Sequence, residues 1–374
     1  MRRERLAPVL AFAVFGLFWG TWDALLPAIK QATGVDDGQL GLALLGIGVG
    51  ALPVMLSVGP LADRLGRPTV ADMLVLFALV AVLPGFASTL AWLALSLLAL
   101  GAISGGLDVI ANARVAALEQ AGPRLMSFAH GMFSLGLLCG SVATGLARHA
   151  GADRRGILGV VAVLVLATAW LNRGPRVAPA QAVVSLRTFA RPGLLVLGAL
   201  CALAFVIEGG VEQWSAIHLE ETFGASAAIG GLGPGTLAGA MVVGRLVGQA
   251  HAHRFTATQL MVGAGLVAAA GVGLAAAAPV AGVALAGFAI AGLGVSLAAP
   301  TFFGLAPRVA PENPTTALSA VTGVSYLGFL ASPPAIGAVA SVAGLRVGLL
   351  VLVGSGLALA GEMKLRSRTG ALPA

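Results

Sequence analysis

Twelve apolar runs of membrane-spanning length constrain this chain more than any other feature. They fall near residues 8–30, 39–58, 69–87, 90–117, 125–148, 155–172, 191–218, 227–249, 257–277, 279–305, 315–341 and 343–363, divided by polar, glycine or proline breaks. A helix needs about 20 predominantly apolar residues to cross a bilayer. The expected fold class is therefore an all-α membrane protein of twelve transmembrane helices, numbered 1 to 12 in chain order. Only Ala278-Pro279 separates helices 9 and 10. Composition agrees: 58% of residues are hydrophobic and 10% charged, against about 25% charged in soluble domains. A soluble core cannot absorb that much apolar surface, whereas a bilayer can. The first run follows Met1-Arg2-Arg3-Glu4-Arg5, and its length exceeds that of a signal-peptide core, so it reads as a retained first membrane helix.

The formal charge is +7, but the basic residues sit singly or in small groups between apolar runs. They form no patch of the kind that binds nucleic acid and read instead as topology signals. An even helix count with a cytosolic N-terminus places 17 of the 22 Lys and Arg on the cytosolic side, as the positive-inside rule requires. The expected location is the inner membrane, multi-pass, with both termini cytosolic. Five basic residues fall outside: Lys30, Arg148, Arg154, Arg155 and Arg346. The cluster from Arg148 to Arg155 is the real exception to the rule. Cys139 and Cys201 lie inside apolar runs with no metal-ligand or disulfide context, and read as small buried hydrophobes.

The longest polar stretch, Asn172 to Arg191, lies between helices 6 and 7. It divides the chain into an N-terminal six-helix bundle (1–172), a cytosolic linker (173–190) and a C-terminal six-helix bundle (191–374). The two halves align with one another. At an offset of 189 residues Gly20, Gly41, Gly46, Gly50 and Gly59 fall on Gly209, Gly230, Gly235, Gly239 and Gly248, and Asp23 falls on Glu212. At 192, Ser127, Gly131 and Gly136 fall on Ser319, Gly323 and Gly328. Small residues at such positions let helix backbones approach closely in a membrane.

The segment after helix 2 reads Gly59-Pro60-Leu61-Ala62-Asp63-Arg64-Leu65-Gly66-Arg67. It resembles the loop 2–3 signature of the major facilitator superfamily, G-x-L-A-D-R-x-G-R. The resemblance implies two parallel six-helix repeats, a solute site near the bilayer midplane, and a gating role for Gly59, Asp63, Arg64, Gly66 and Arg67. Physically this is a tight turn whose Asp63 and Arg67 can pair with neighbouring helix ends; the other reading is a solvated charged loop. The second-half counterpart, Gly248 to Arg254, lacks the aspartate.

Four acids lie deep in apolar runs: Asp23 in helix 1, Asp108 in helix 4, and Glu208 and Glu212 in helix 7. Ionisable groups in hydrocarbon are costly and mark function by default. Asp108 and Asn112, four apart, share a helix face, as do Glu208 and Glu212. In the superfamily that this chain resembles, helices 1, 4, 7 and 10 line the solute path, so all four acids fall on three of those helices. Helix 10 offers Ser296 and Thr301. A carboxyl whose hydration changes during alternating access changes its proton affinity with it, so proton coupling is the expected role of the four; helix–helix hydrogen bonds or fixed ion pairs are the bland alternative. His130 in helix 5 suits a proton relay or a structural role. Trp19, Trp22 and Trp214 can stack on a ring, although tryptophan at membrane ends more often anchors the interface. Tyr326 in helix 11 is the chain's one tyrosine. Asp72 and Arg114 read as structural, with Arg114 placed to pair with Asp72 or Glu119.

Helix 4 into helix 5 reads GGLDVIANARVAALEQAGPRLMSFAHGMFSLG. It resembles the fucose-permease-like branch, with its acid-x-x-x-Asn signature. Asp108 and Asn112 take the places of that branch's acid and asparagine, and Asp23, after Phe18-Trp19-Gly20, resembles its helix-1 acid. In that branch these acids serve proton coupling and sugar binding. Helix 7, EGGVEQWSAIHL, instead resembles poorly characterised bacterial transporters near it. The leading expectation is proton-coupled symport of a small polar solute, with sugars among the candidates. The solute would be held by Trp19, Asp23, Asp108, Asn112, His130, Glu212, Trp214 and Tyr326. The alternative is proton-driven efflux of a drug or metabolite, although helix 5 lacks the proline of the efflux signature G-x-x-x-G-P-x-x-G-G. No nucleophile–base pair, metal cluster or phosphate loop points to an enzyme. No cofactor is expected; the partners are a small-molecule substrate, protons and the lipid bilayer, with no nucleic acid, and the chain is expected to be a monomer.

Overall fold

The computed structural model describes residues 3–65, 69–120, 125–173, 188, 190–251 and 254–369. Of the loop 2–3 signature, Gly59, Asp63 and Arg64 lie on the C-terminal end of a helix, while Gly66 and Arg67 lie outside the described residues.

The described regular structure is helical throughout. The helices are α1 (Arg3–Thr33), α2 (Asp37–Leu65), α3 (Val70–Ala81), α4 (Leu90–Gln120), α5 (Met126–His149), α6 (Arg154–Leu171), α7 (Pro192–Ile217, with a π-helical turn over His218–Thr222), α8 (Ala227–Gly230 and Leu232–His251), α9 (Ala257–Ala277), α10 (Ala281–Val295 and Ala298–Val309), α11 (Pro314–Ala343) and α12 (Leu345–Gly348 and Leu350–Thr369). Eleven are long and apolar enough to span a bilayer. The shorter one is α3, which gives way to a 3-10 turn over Leu83–Phe86. Pro84 has no N–H to continue the α-helical ladder, and a 3-10 turn closes the segment more tightly. Twelve helices in twelve apolar runs match the sequence expectation.

Helices α3 and α9 start alike. Thr69 Oγ1 accepts from the backbone N–H of Asp72, while Asp72 Oδ2 accepts from the N–H of Thr69. Thr256 and Gln259 make the same reciprocal pair. Each is a capping box that satisfies two backbone donors at once.

The chain forms two compact units, Met1–Gln181 with Ala225–Gly235, and Ala182–Gly224 with Thr236–Ala374. Within the first, α1 packs on α5, α2 on α4, and α3 on α4 and α6. Within the second, α7 packs on α11, and α9 on α10 and α12. The sequence offsets reappear as contacts. A Cβ on Gly136 of α5 would strike the carbonyl of Ala13 in α1; one on Gly328 of α11 would strike the carbonyl of Ala202 in α7. Likewise Gly20 abuts Leu137, and Gly209 abuts Phe329. Each pair keeps the 189-residue offset on the first helix and the 192-residue offset on the fifth; Gly136 and Gly328 both meet backbone, whereas Gly20 meets the Leu137 backbone and Gly209 the Phe329 ring.

The five basic residues assigned to the outer side are all engaged. Lys30 pairs with Asp37. Arg148 Nη1 donates to the carbonyl of Ala24 at 2.7 Å. Arg154 Nε donates to Gly85 at 2.9 Å and Nη2 to Ala87 at 3.5 Å, at the C-terminal end of the α3 segment. Arg155 lies over the Phe86 ring. Arg346 Nη1 donates to Ala276 at 2.8 Å and to Ala278 at 2.7 Å, at the end of α9, and its guanidinium lies over Phe223. Arg346 follows Arg154 by 192 residues, and Ala276 and Ala278 follow Gly85 and Ala87 by 191. Terminal helix carbonyls lack intrahelical donors, and arginine supplies them. Two of the exceptions to the charge rule, Arg154 and Arg346, are thus helix caps.

Candidate functional site

In the first unit, α4 turns Asp108 and Asn112 to one face, as four-residue spacing demands. Asn112 Nδ2 donates to Asp108 Oδ1 and to the Asp108 carbonyl, each at 2.9 Å. Across on α5, His130 Nε2 lies 3.2 Å from Asn112 Oδ1. An amide oxygen only accepts, so Nε2 carries the proton in that bond. The result is a chain Asp108–Asn112–His130 that joins two helices. Phe12 of α1 closes edge-on to the imidazole, with centroids 5.1 Å apart, and the His130 carbonyl accepts from Ser134 Oγ. Asp108 and Asn112 are half-buried and His130 exposed.

On α1, Asp23 is 3% exposed and Trp22 fully buried, with the indole N–H unpaired among the described residues. Trp19, one turn before Asp23, is half-buried and packs edge-on against Phe15 and Phe18. Pro27 removes the N–H that would bond the carbonyl of Asp23 in the helix. Asp23 therefore brings to one point of the span a carboxyl group and a carbonyl that lacks its usual i+4 donor.

In the second unit, Glu208 and Glu212 are half-buried on α7. Between them Gly209 and Gly210 pack against Phe329, Ser332, Ile336 and Leu352. Trp214 is fully buried, its indole N–H unpaired among the described residues. Tyr326 sits in an aromatic cluster with Phe205 and Phe329, at centroid distances of 6.1 and 5.9 Å. On the same α11, Ser332 Oγ donates to the Val206 carbonyl of α7.

Arg245 is a residue the sequence reading passed over. It counts among the cytosolic-side cations by the charge rule, and it lies in the last turn of the span Ala227–Gly248, where its Nε donates to the carbonyl of Ser296 at 3.4 Å. Ser296 stands where α10 breaks between Val295 and Ala298. The available signal was a lone arginine within Val242-Val243-Gly244-Arg245-Leu246-Val247.

Arg114 pairs with neither of its expected acids among the described residues. Asp72 is engaged by Thr69. Glu119 Oε2 accepts from the backbone N–H groups of Leu125 and Met126, capping α5. His218 is structural: Nε2 donates to the Ala275 carbonyl, Nδ1 accepts from Thr222 Oγ1, and the ring is fully buried.

Residues 9–333 match the model of the Major Facilitator Superfamily. The chain belongs to that superfamily. Among its relatives is an uncharacterized MFS-type transporter of Yersinia pestis, 30% identical over 92% of this chain and 91% of the relative. In fold, this superfamily member is similar to a bacterial homologue of the human lysosomal transporter Spinster, with a TM-score of 0.79 at 17% identity over 98% of this chain and 96% of the other. It is also similar to the E. coli fucose:proton symporter, with a TM-score of 0.64 at 19% identity over 97% and 98%. The chain is a multi-pass membrane transporter of the superfamily and not an enzyme.

Proposed function

We propose that this transporter moves a small polar solute, with sugars the first class to test, by proton-coupled symport through alternating access. It sits in the inner membrane as a monomer with both termini in the cytosol. Two six-helix bundles, 1–172 and 191–374, are joined by a cytosolic linker over 173–190. Asp23, Asp108, Glu208 and Glu212 carry the proton coupling. Trp19, Asp23, Asp108, Asn112, His130, Glu212, Trp214 and Tyr326 hold the solute, and Gly59, Asp63, Arg64, Gly66 and Arg67 gate the cycle.

The observation that carries this reading is the chain Asp108–Asn112–His130. It puts two titratable groups on either side of an amide, within two membrane spans. Ionisable side chains within membrane spans are rare and mark function by default. A carboxylate, an amide and an imidazole together offer the acceptors and donors that a hydroxylated solute needs. The likeness in fold to a fucose:proton symporter supports the same reading.

The test is lumenal pH in proteoliposomes of the purified protein after external addition of sugars, organic acids, amino acids and common drugs. Acidification with one solute identifies symport and the substrate. Alkalinisation replaces the reading with proton-driven efflux, and silence across the panel removes its support. With the active solute, Asp108→Asn is expected to abolish proton-driven accumulation while the protein still folds; full accumulation in that variant overturns the assignment.

A further inference from the structure

A cleft of about 630 Å³ opens in the first unit between the start of α3 and the end of α6. Its lining includes Thr69, Asp72, Val75, Leu166, Trp170 and Arg173. The end of α6 is the end of a span, where lipid headgroups meet protein. Opposite charges face this cleft without pairing. Among the described residues no ion pair joins Asp72 to Arg173, and Arg173 is exposed just past the last turn of α6. Asp72 is exposed as well, its carboxylate fixed by Thr69 through Oδ2. Trp170 is 57% exposed at the rim, a position where an indole suits the membrane interface. Below the charges, exposed Val75 and Leu79 of α3 and Val163 and Leu166 of α6 continue the surface as hydrocarbon contact.

We propose that this cleft binds a zwitterionic phospholipid, its phosphate on Arg173, its ammonium toward Asp72 and its chains along Val75 and Leu166. The charge pair decides the headgroup. A single arginine would favour anionic lipid, but Asp72 repels the net charge and complements the cationic end of a zwitterion. The proposal is independent of the transported solute.

The experiment is native mass spectrometry of the full chain with phosphatidylcholine, phosphatidylethanolamine and phosphatidylglycerol of identical acyl chains. The wild type is expected to retain both zwitterionic lipids over phosphatidylglycerol. Arg173→Gln should lower retention of zwitterionic lipid about fivefold, the worth of one surface cation near phosphate, and Arg173→Lys should restore most of it. Asp72→Asn should erase the discrimination against phosphatidylglycerol. Because Asp72 also caps α3, the Arg173 variants provide the test that does not touch folding. Phosphatidylglycerol retained as well as the zwitterions by the wild type, or Arg173→Gln retaining lipid as the wild type does, overturns the proposal.

Discussion

His130 on α5 has its counterpart 192 residues later in Thr322 on α11, and Ser134 has its counterpart in Tyr326. Around His130 the first unit builds a hydrogen-bonded chain to Asp108. Around Tyr326 the second unit builds an aromatic cluster with Phe205 and Phe329. The glycines that seat these same helices keep their places in both units, Gly136 against Ala13 and Gly328 against Ala202. Backbone approach tolerates one residue type, so it persists through the repeat. Side chains that face no backbone are free to diverge: each unit holds two acids and an aromatic cluster, but the first places its acids on two helices and links one to an imidazole, while the second places both on α7.

The largest effect should come from the shared scaffold. Gly136→Val and Gly328→Val each drive a side chain into a backbone carbonyl of the neighbouring helix, and overpacking of this kind costs about 1–3 kcal/mol or more. Both variants should lose most monodisperse protein on detergent extraction. Gly239→Val, with nothing within 4 Å of its Cβ, should extract as the wild type does. A unit that accepts the wedge while the other rejects it breaks the equivalence.

Next come the acids. Asp108→Asn should remove proton-driven accumulation, whereas Glu208→Gln, with Glu212 one turn away on the same face of α7, should leave a measurable fraction. Equal loss in both would put the coupling in the two units alike. A smaller effect is expected from Asn112→Leu, which deletes the donor to Asp108 and the acceptor for His130. Two hydrogen bonds at about 1 kcal/mol each correspond to roughly a tenfold or larger rise in the apparent KM for the solute. Thr322→Val in the second unit should change KM less than about twofold, the scatter of ordinary surface substitutions.

Local rules carried much of this into the sequence. Spanning length gave the helix count, and four-residue spacing put Asp108 and Asn112 on one face, where they bond. The glycine offsets marked the two halves as repeats, but they did not say which helices would touch. What stayed hidden depends on packing between distant segments. His130 reaches Asn112 only because α5 lies on the right side of α4, and no periodicity states that. Arg245 counts with the cytosolic-side cations, and no spacing announces its bond to the Ser296 carbonyl on another helix. The shortness of α3 follows from Pro84, whose effect on the run was visible in principle but masked by continuous hydropathy.

The smallest effect separates scaffold from topology. Arg154 and Arg346 stand at equivalent places in the repeat, and each donates to two terminal carbonyls, of the α3 segment and of α9. If they are caps, Arg154→Gln and Arg346→Gln should each lower stability by about 1–3 kcal/mol, the usual worth of hydrogen bonds to a charged group, and reduce Tm by a few degrees. Arg346 makes the two shorter bonds, 2.8 and 2.7 Å against 2.9 and 3.5 Å, so its loss should cost more. Orientation in the membrane, read by protease access to a C-terminal tag, should not change in either variant, because a residue spent on helix carbonyls is not selecting a side. An inverted population in Arg154→Gln would return that arginine to the topology signals and end its equivalence with Arg346.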